Sequence, residues 1–262
     1  LSCGYRHCCQ LFPCIGRIKC WGEGTDGQLG YDSTESVGTA PEQMGANLPY
    51  VQIENVKAVR CGGGLICARM QTGDVKCWGT NAYGSLGYGD VVNRGKKAET
   101  MGVNLPVLDF GTNYVISMTP ATDWGANCAV MDSARLMCWG ENTHGQAGTG
   151  SAETKQLAPA YVSLGTTMGV RQVSSDRFST CPVFTDGTIK CWGLGTQGDL
   201  GYNDKETRGN NADTMGDNLP FISMGFAVVD LKKGGYLHSC GMSQSGLIKC
   251  WGVNSNGMLG RG

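Results

Sequence analysis

What most constrains this chain is a phrase that it repeats. "IKCWGEGTDGQLGYD" at 18–32 returns as "VKCWGTNAYGSLGYGD" (75–90), "LMCWGENTHGQAGTGS" (136–151), "IKCWGLGTQGDLGYND" (189–204) and "IKCWGVNSNGMLGRG" (248–262). The Cys of Cys-Trp-Gly stands at 20, 77, 138, 191 and 250, so the period runs 57, 61, 53 and 59 residues. Such a period marks a repeat architecture, in which each unit buries its apolar surface against the next. Two more phrases keep step. Upstream lie "GYRHCCQL" (4–11), "GGLICARM" (63–70), "WGANCAVM" (124–131), "DRFSTCPV" (176–183) and "GYLHSCGM" (235–242). Between blocks lie "MGANLP" (44–49), "MGVNLP" (101–106) and "MGDNLP" (215–220); the third copy lacks this phrase, which accounts for its shorter spacing.

Each unit reads as short apolar runs separated by Gly, Asn and Asp, with no 3.6-residue period. In "CARMQTGDVKCWG" (67–79) Gly73 stands four residues before Cys77, and Gly16, Gly187 and Gly246 hold the matching places. A Gly there suits the third position of a three-residue hairpin loop, which needs positive φ. Ala134 holds it in the third copy and should carry strain. Gly is 42 of 262 residues, a load that fits many tight turns. The expected fold is an all-β propeller of antiparallel blades: one domain, 1–262, with units at about 1–53, 54–112, 113–166, 167–226 and 227–262.

These phrases resemble the regulator-of-chromosome-condensation family of β-propellers, whose unit runs G..HS.AL...G.V..WG.N..GQLG. The resemblance covers essentially the whole chain in five copies. Family members usually close seven blades, so two architectures stand open. Either five blades close a small ring, the arrangement we favour, or these residues are a window on a longer propeller. Leu1 without an initiator Met or a signal peptide reads as a processed or truncated start.

Fourteen cysteines are the sharpest chemical signal. Cys67 and Cys77, Cys128 and Cys138, Cys181 and Cys191, and Cys240 and Cys250 are ten apart, and Cys9 and Cys20 are eleven apart. Across a hairpin with a three-residue loop such residues face each other, with Cα atoms about 4.5–5.5 Å apart, as a disulfide requires. Cys3 and Cys61 fill one column in adjacent units, which suggests a bridge between blades and leaves Cys8 with Cys14. Seven bridges and no odd thiol point to an oxidising, extracellular or cell-surface setting. The spacing matches no zinc finger or ribbon, and no metal or other cofactor is expected.

The tryptophans of the five blocks, Trp21, Trp78, Trp139, Trp192 and Trp251, invite a sugar-stacking reading, but a residue required once per unit is architecture: they should wedge blade against blade. Trp124, in "PATDWGAN" (120–127), falls outside the pattern and is a candidate exposed anchor. His7 and His238 share a column, and His144 stands in a turn; none sits with a nucleophile, so no catalytic residue is assigned. Acidic residues in "GYGDVVNRG" (87–95) and "GYNDKETRG" (201–209) lack calcium-loop spacing, and Asp ahead of Arg ties a turn. Asn-x-Ser/Thr is absent.

A net charge of −1 with scattered Lys and Arg gives no basic stripe for nucleic acid, and no run of 18 apolar residues inserts in a membrane. The reading is a non-enzymatic, disulfide-laced extracellular scaffold or interaction module that binds a protein partner or copies of itself. A lectin-like propeller with a glycan ligand is the alternative. The resemblance also implies a third function, exchange factor for a small GTPase, which the paired cysteines and weak charge disfavour.

Overall fold

A computed structural model describes residues 1–120, 125–151, 153–234 and 237–260. Five antiparallel sheets follow one another in chain order. The first holds β1 (Ser2–Cys3), β2 (His7–Phe12) and β3 (Arg17–Gly22); the second β4 (Val56–Cys61), β5 (Leu65–Met70) and β6 (Val75–Gly79). The third holds β7 (Val115–Thr119), β8 (Ala126–Met131), β9 (Leu136–Glu141) and β10 (Lys155–Tyr161). The fourth holds β11 (Val170–Ser175), β12 (Ser179–Phe184) and β13 (Trp192–Gly193); the fifth β14 (Val228–Gly234), β15 (His238–Ser243) and β16 (Ile248–Gly252). The fold is thus the all-β propeller architecture that the repeats imply.

Local chemistry sets each hairpin. Gly73 takes φ 93° in the β5–β6 turn, and its amide donates to the Met70 carbonyl. Ala134 adopts φ 57° at the same place in the third unit, a left-handed conformation that a Cβ disfavours. Beyond the hairpin, single bridges from Gly22 to Val37, Gly79 to Arg94 and Gly193 to Arg208 add an outer edge to three sheets. The third unit, which lacks the Met-Gly-x-Asn-Leu-Pro phrase, puts β10 against β9 instead.

Burial shows how the sheets stack. Every residue of β8 and of β12 is buried, because each lies between two neighbouring sheets. In β2 the side chains of His7 and Cys9 are buried while those of Cys8 and Gln10 are half-exposed. In β15 the opposite parity is buried: Ser239, Gly241 and Ser243 are inside and His238, Cys240 and Met242 are not. The two terminal sheets are therefore covered on one face each, and on opposite faces. Four buried clusters fill the four junctions between successive sheets. Among the described residues no hydrogen bond or ion pair joins the first sheet to the fifth. The favoured ring of five is thus not closed by these residues: the sheets form an open arc, because a fifth junction would need both outer faces covered.

Candidate functional site

The sheet face that meets the next unit carries the cystines. Cys9 opposes Cys20, Cys67 opposes Cys77, Cys128 opposes Cys138 and Cys240 opposes Cys250 in register. Each of these pairs is disulfide-bonded, as is Cys181 with Cys191, over Cα separations of 4.1–4.3 Å. The remaining cysteines correct the sequence reading. Cys3 bonds Cys8, not Cys61, and Cys14 and Cys61 are free thiols. The cause is register: the turn after Cys3 sets β1 against β2 with Cys3 directly opposite Cys8, Cα atoms 4.0 Å apart. Cys61 occupies the same column in the second sheet, but Ile66 faces it there. Its Sγ lies 3.2 Å from the Ser2 carbonyl oxygen, and burial pushes the thiol up to about 11. Cys14 sits exposed in the first hairpin turn. The column was legible in the sequence; the five-residue step from Cys3 to Cys8, shorter than any other pair, was the missed signal.

The tryptophans sit at the junctions. Trp78, Trp139 and Trp192 are fully buried. Each indole Nε1 donates to a backbone carbonyl in the Gly-x-Leu/Ala-Gly turn of the preceding unit: Trp78 to Gln28 at 3.0 Å, Trp139 to Ser85 at 2.9 Å, Trp192 to Gln146 at 3.0 Å and Trp251 to Asp199 at 3.0 Å. The turn comes this close because its last residue is Gly: a Cβ on Gly148 would lie 2.6 Å from Trp192 Nε1. Trp21 and Trp251 are only half-buried, unlike the other three. Among the described residues no backbone carbonyl accepts from the Trp21 indole, and no loop covers Trp251 as that of Gly95 covers Trp78. Rings as enclosed as those of Trp78, Trp139 and Trp192 cannot stack on a sugar. Trp124 lies outside the described residues.

A second recurring device holds the loop after Cys-Trp-Gly. The Tyr88 hydroxyl accepts from the Cys77 amide at 3.0 Å and lies within 3.1 Å of the Cys77 and Pro106 carbonyl oxygens. The Arg94 guanidinium stacks on the Tyr88 ring, 4.1 Å from its centroid, and grips both oxygens of Asp90. Tyr202, Arg208 and Asp204 repeat the arrangement in the fourth unit. Those arginine contacts hold both carboxyls below their usual range and fix them as anchors of their own turns. Burial pushes the Tyr88 phenol up to about 12. The tips between anchors differ: exposed Val91 and Val92 in one loop, exposed Lys205 and Glu206 in the other.

One junction is polar. Lys233 Nζ, enclosed between the fourth and fifth sheets, donates to Ser239 Oγ at 2.9 Å and pairs with Asp176 at 3.7 Å. Asp199 lies fully buried nearby with neither carboxylate oxygen well hydrogen-bonded, and burial lifts it to about 6. His7 is buried and its pKa lowered by desolvation; His144 lies 5.8 Å from the Phe178 ring. Among the described residues no group of three or more His, Cys, Asp or Glu is placed to hold a metal, and no helix is long and apolar enough to cross a membrane.

Comparison with known proteins agrees with this geometry. Residues 16–69 match the family described as "Regulator of chromosome condensation (RCC1) repeat". The chain is 26% identical over 265 residues to the ultraviolet-B receptor UVR8 of Arabidopsis thaliana, covering 100% of this chain and 54% of UVR8. It is 27% identical over 267 residues to the mitochondrial RCC1 domain-containing protein RUG3 of the same plant, covering 99% and 54%. It therefore spans about half the length of these relatives. Among solved structures, human WBSCR16 superposes with a TM-score of 0.74 at 20% identity over 99% of this chain and 62% of that one. Prp20p of Saccharomyces cerevisiae gives 0.67 at 16% over 89% and 53%. The ectodomain of the Physcomitrella patens receptor kinase CR4 gives 0.55 at 18% over 95% and 52%.

Proposed function

For a chain that is an RCC1-type β-propeller, we propose a protein-binding role in an oxidising, extracellular or cell-surface setting, with the disulfide-braced sheets as scaffold and the loops after Cys-Trp-Gly as the display. The observation that carries this is the contrast within those loops. One frame of Tyr, Asp and Arg recurs in the second and fourth units, yet it presents Val91 and Val92 in one and Lys205 and Glu206 in the other. A fixed frame with differing tips is how rigid scaffolds build recognition surfaces. Two apolar tips held in solvent have no role in the fold's interior.

Two neighbours support the reading. Prp20p is described as binding Gsp1p and histones, so this fold serves protein recognition there. CR4 carries the fold as an ectodomain, a setting that suits cystines repeated in every sheet.

The test uses protein from its native source. An intact mass taken after denaturing alkylation should show six bridges and two alkylated thiols; fourteen alkylated thiols would place the chain in a reducing compartment. Affinity capture with the native chain and with Val91→Asp/Val92→Asp should then differ in one stoichiometric protein. Identical captures from both would sink the display role of that loop.

A further inference from the structure

Three charged side chains meet between the fourth and fifth sheets, each at a position where other units carry an uncharged residue. Asp176 stands five residues before Cys181, where Gly4 and Gly62 precede Cys9 and Cys67. Lys233 faces Ser239 across β14 and β15, as Cys61 faces Ile66 across β4 and β5. Asp199 holds the turn position of Gln28, Ser85 and Gln146, whose carbonyls receive the indole of the next unit.

All three are enclosed. The Lys233 side chain is 0% exposed and that of Asp176 1%, with Nζ 3.7 Å from Oδ2. That separation is too long for a hydrogen bond, and among the described residues Oδ2 has no hydrogen-bond partner. Oδ1 of the same carboxyl is held firmly: it accepts from the Phe178 amide at 2.9 Å, the Ser179 amide at 2.8 Å and the Ser179 hydroxyl at 3.2 Å. Ser239 Oγ, 2.9 Å from Nζ, aims the amine. Burial raises the Asp199 carboxyl to about 6, while the Lys233 charge draws it down and the Asp176 charge pushes it up, so Asp199 senses both partners.

A buried ion pair that lacks its hydrogen bonds recovers little of its desolvation cost. Joining the two groups removes both charges at once. The fold already holds amine and carboxyl side by side, which supplies the effective concentration such a reaction needs. The donors on Oδ1 lie where a negative oxygen would form.

We propose that Lys233 and Asp176 condense into an intramolecular amide that ties the fifth sheet covalently to the fourth, with Asp199 as the proton carrier. Asp199 hands its proton to Oδ2 and takes one from the ammonium, leaving a neutral acid and a neutral amine. The Nζ lone pair then bonds to Asp176 Cγ, and the electron pair of the Cγ–Oδ1 double bond moves onto Oδ1, where the two amides and the hydroxyl hold it. A second proton passes from Nζ to Oδ2 through Asp199, the Cγ–Oδ2 bond breaks, the Cγ–Oδ1 double bond reforms and water leaves. One ammonium and one carboxylate become one amide and one water, Asp199 is returned as the acid, and no co-reactant is consumed. The proposal stands apart from the display loops and from the compartment.

The test is a mass measurement on the full chain. Reduced and alkylated throughout, it should weigh one water less than its sequence, a loss that opening the cystines cannot restore. Trypsin should release one branched peptide joining residues 172–177 to 233–249, because an acylated Lys233 is not cleaved. Asp176→Asn identifies the acyl donor, since it should link with loss of ammonia in place of water. Lys233→Arg keeps the charge and should stay unlinked. Asp199→Asn should fold with its six bridges and also stay unlinked. Chain refolded from inclusion bodies starts unlinked, and it should link faster below about pH 6 than above it, as a proton-giving Asp199 requires and a packing role does not. The effect of Asp199 on stability belongs to that unlinked chain, in which the Lys233 amine is still charged. Separate 172–177 and 234–249 peptides from the folded parent would overturn the proposal. So would loss of water without the branched peptide, which would place the dehydration at an Asp–Gly step such as Asp186–Gly187, and so would full linking of Asp199→Asn.

Discussion

The Nε1 of Trp192 donates at 3.0 Å to the carbonyl oxygen of Gln146, 46 residues earlier and in the preceding unit. A buried indole N–H needs an acceptor, and the turn's backbone carbonyl supplies one. The same bond recurs at four junctions, so one sequence phrase serves twice: Cys-Trp-Gly reaches back, and Gly-x-Leu-Gly receives.

Gly148→Ala tests how tightly that contact is fitted. The new Cβ would fall 2.6 Å from Trp192 Nε1, on a residue at φ 69°. Overpacking and left-handed strain together should cost about 2–4 kcal/mol. Gly260→Ala carries the strain alone, since φ is 64° and nothing lies within 4 Å. It should cost about 1 kcal/mol. Urea denaturation of both variants gives the difference, and equal losses would mean that the junction gives way freely.

The parts of the fold legible in the sequence were those set by local chemistry repeated in register. Gly73, Cys67, Cys77 and Trp78 each answer to a turn, a facing pair or a junction, and period alone places them. The Cys3–Cys8 bridge was not legible, because the same turn recurs in the second and fourth units with Ile66 facing Cys61 and Thr180 facing Ser175, so no repeat signal marks the one unit where two cysteines meet. Nor was the open arc, since the phrases read alike whether or not a face is covered; only the opposite burial parities of β2 and β15 reveal it. Lys233 and Asp199 were missed for a related reason. Their columns hold Cys61 and Ser85 in the second unit, so no repeat signal marks a buried charge there.

Ala134→Gly should stabilise the protein. Ala134 sits at φ 57° where four other hairpins have Gly, and its carbonyl accepts from the Val170 amide, so the backbone cannot relax away from that shape. Relief of left-handed strain contributes about 1–2 kcal/mol, offset partly by the freer unfolded chain, for a net gain of about 0.5–1 kcal/mol. A lower thermal midpoint would show that the Ala methyl makes packing contacts worth more than the strain.

The cystines should open in an order set by cover. In the native state an alkylating reagent should label Cys14 alone, because Cys61 is buried and its thiol is raised to about 11. Under mild reductant, Cys3–Cys8 and Cys240–Cys250 should open first, since Cys3 is exposed and Cys240 and Cys250 lie half-exposed on the uncovered face of the fifth sheet. Cys67–Cys77, Cys128–Cys138 and Cys181–Cys191, all buried at junctions, should resist until the fold is lost. Peptide mapping after timed alkylation reads the sequence of events, and simultaneous opening of all six would argue against junction burial as the protection.

Asp199 makes the last junction sensitive to pH. Burial raises its carboxyl from 3.8 to about 6, so the neutral acid is the form the fold prefers. For an acid raised in this way the stabilising contribution is complete below about pH 4 and is lost as pH rises through about 6. The full shift corresponds to a loss of about 2–3 kcal/mol above that window. Lys233 offsets part of the penalty without removing it, because its amine is committed to Ser239 and paired with Asp176. Asp199→Asn keeps the shape and removes the charge, so it should gain about 2 kcal/mol at pH 8 and nothing at pH 4. The comparison must be variant against parent at each pH, since Asp90 and Asp204 are depressed by their arginines and tilt the whole protein the other way. A gain that was the same at both pH values would assign the effect to packing, and no gain at pH 8 would mean that Lys233 already neutralises the carboxylate.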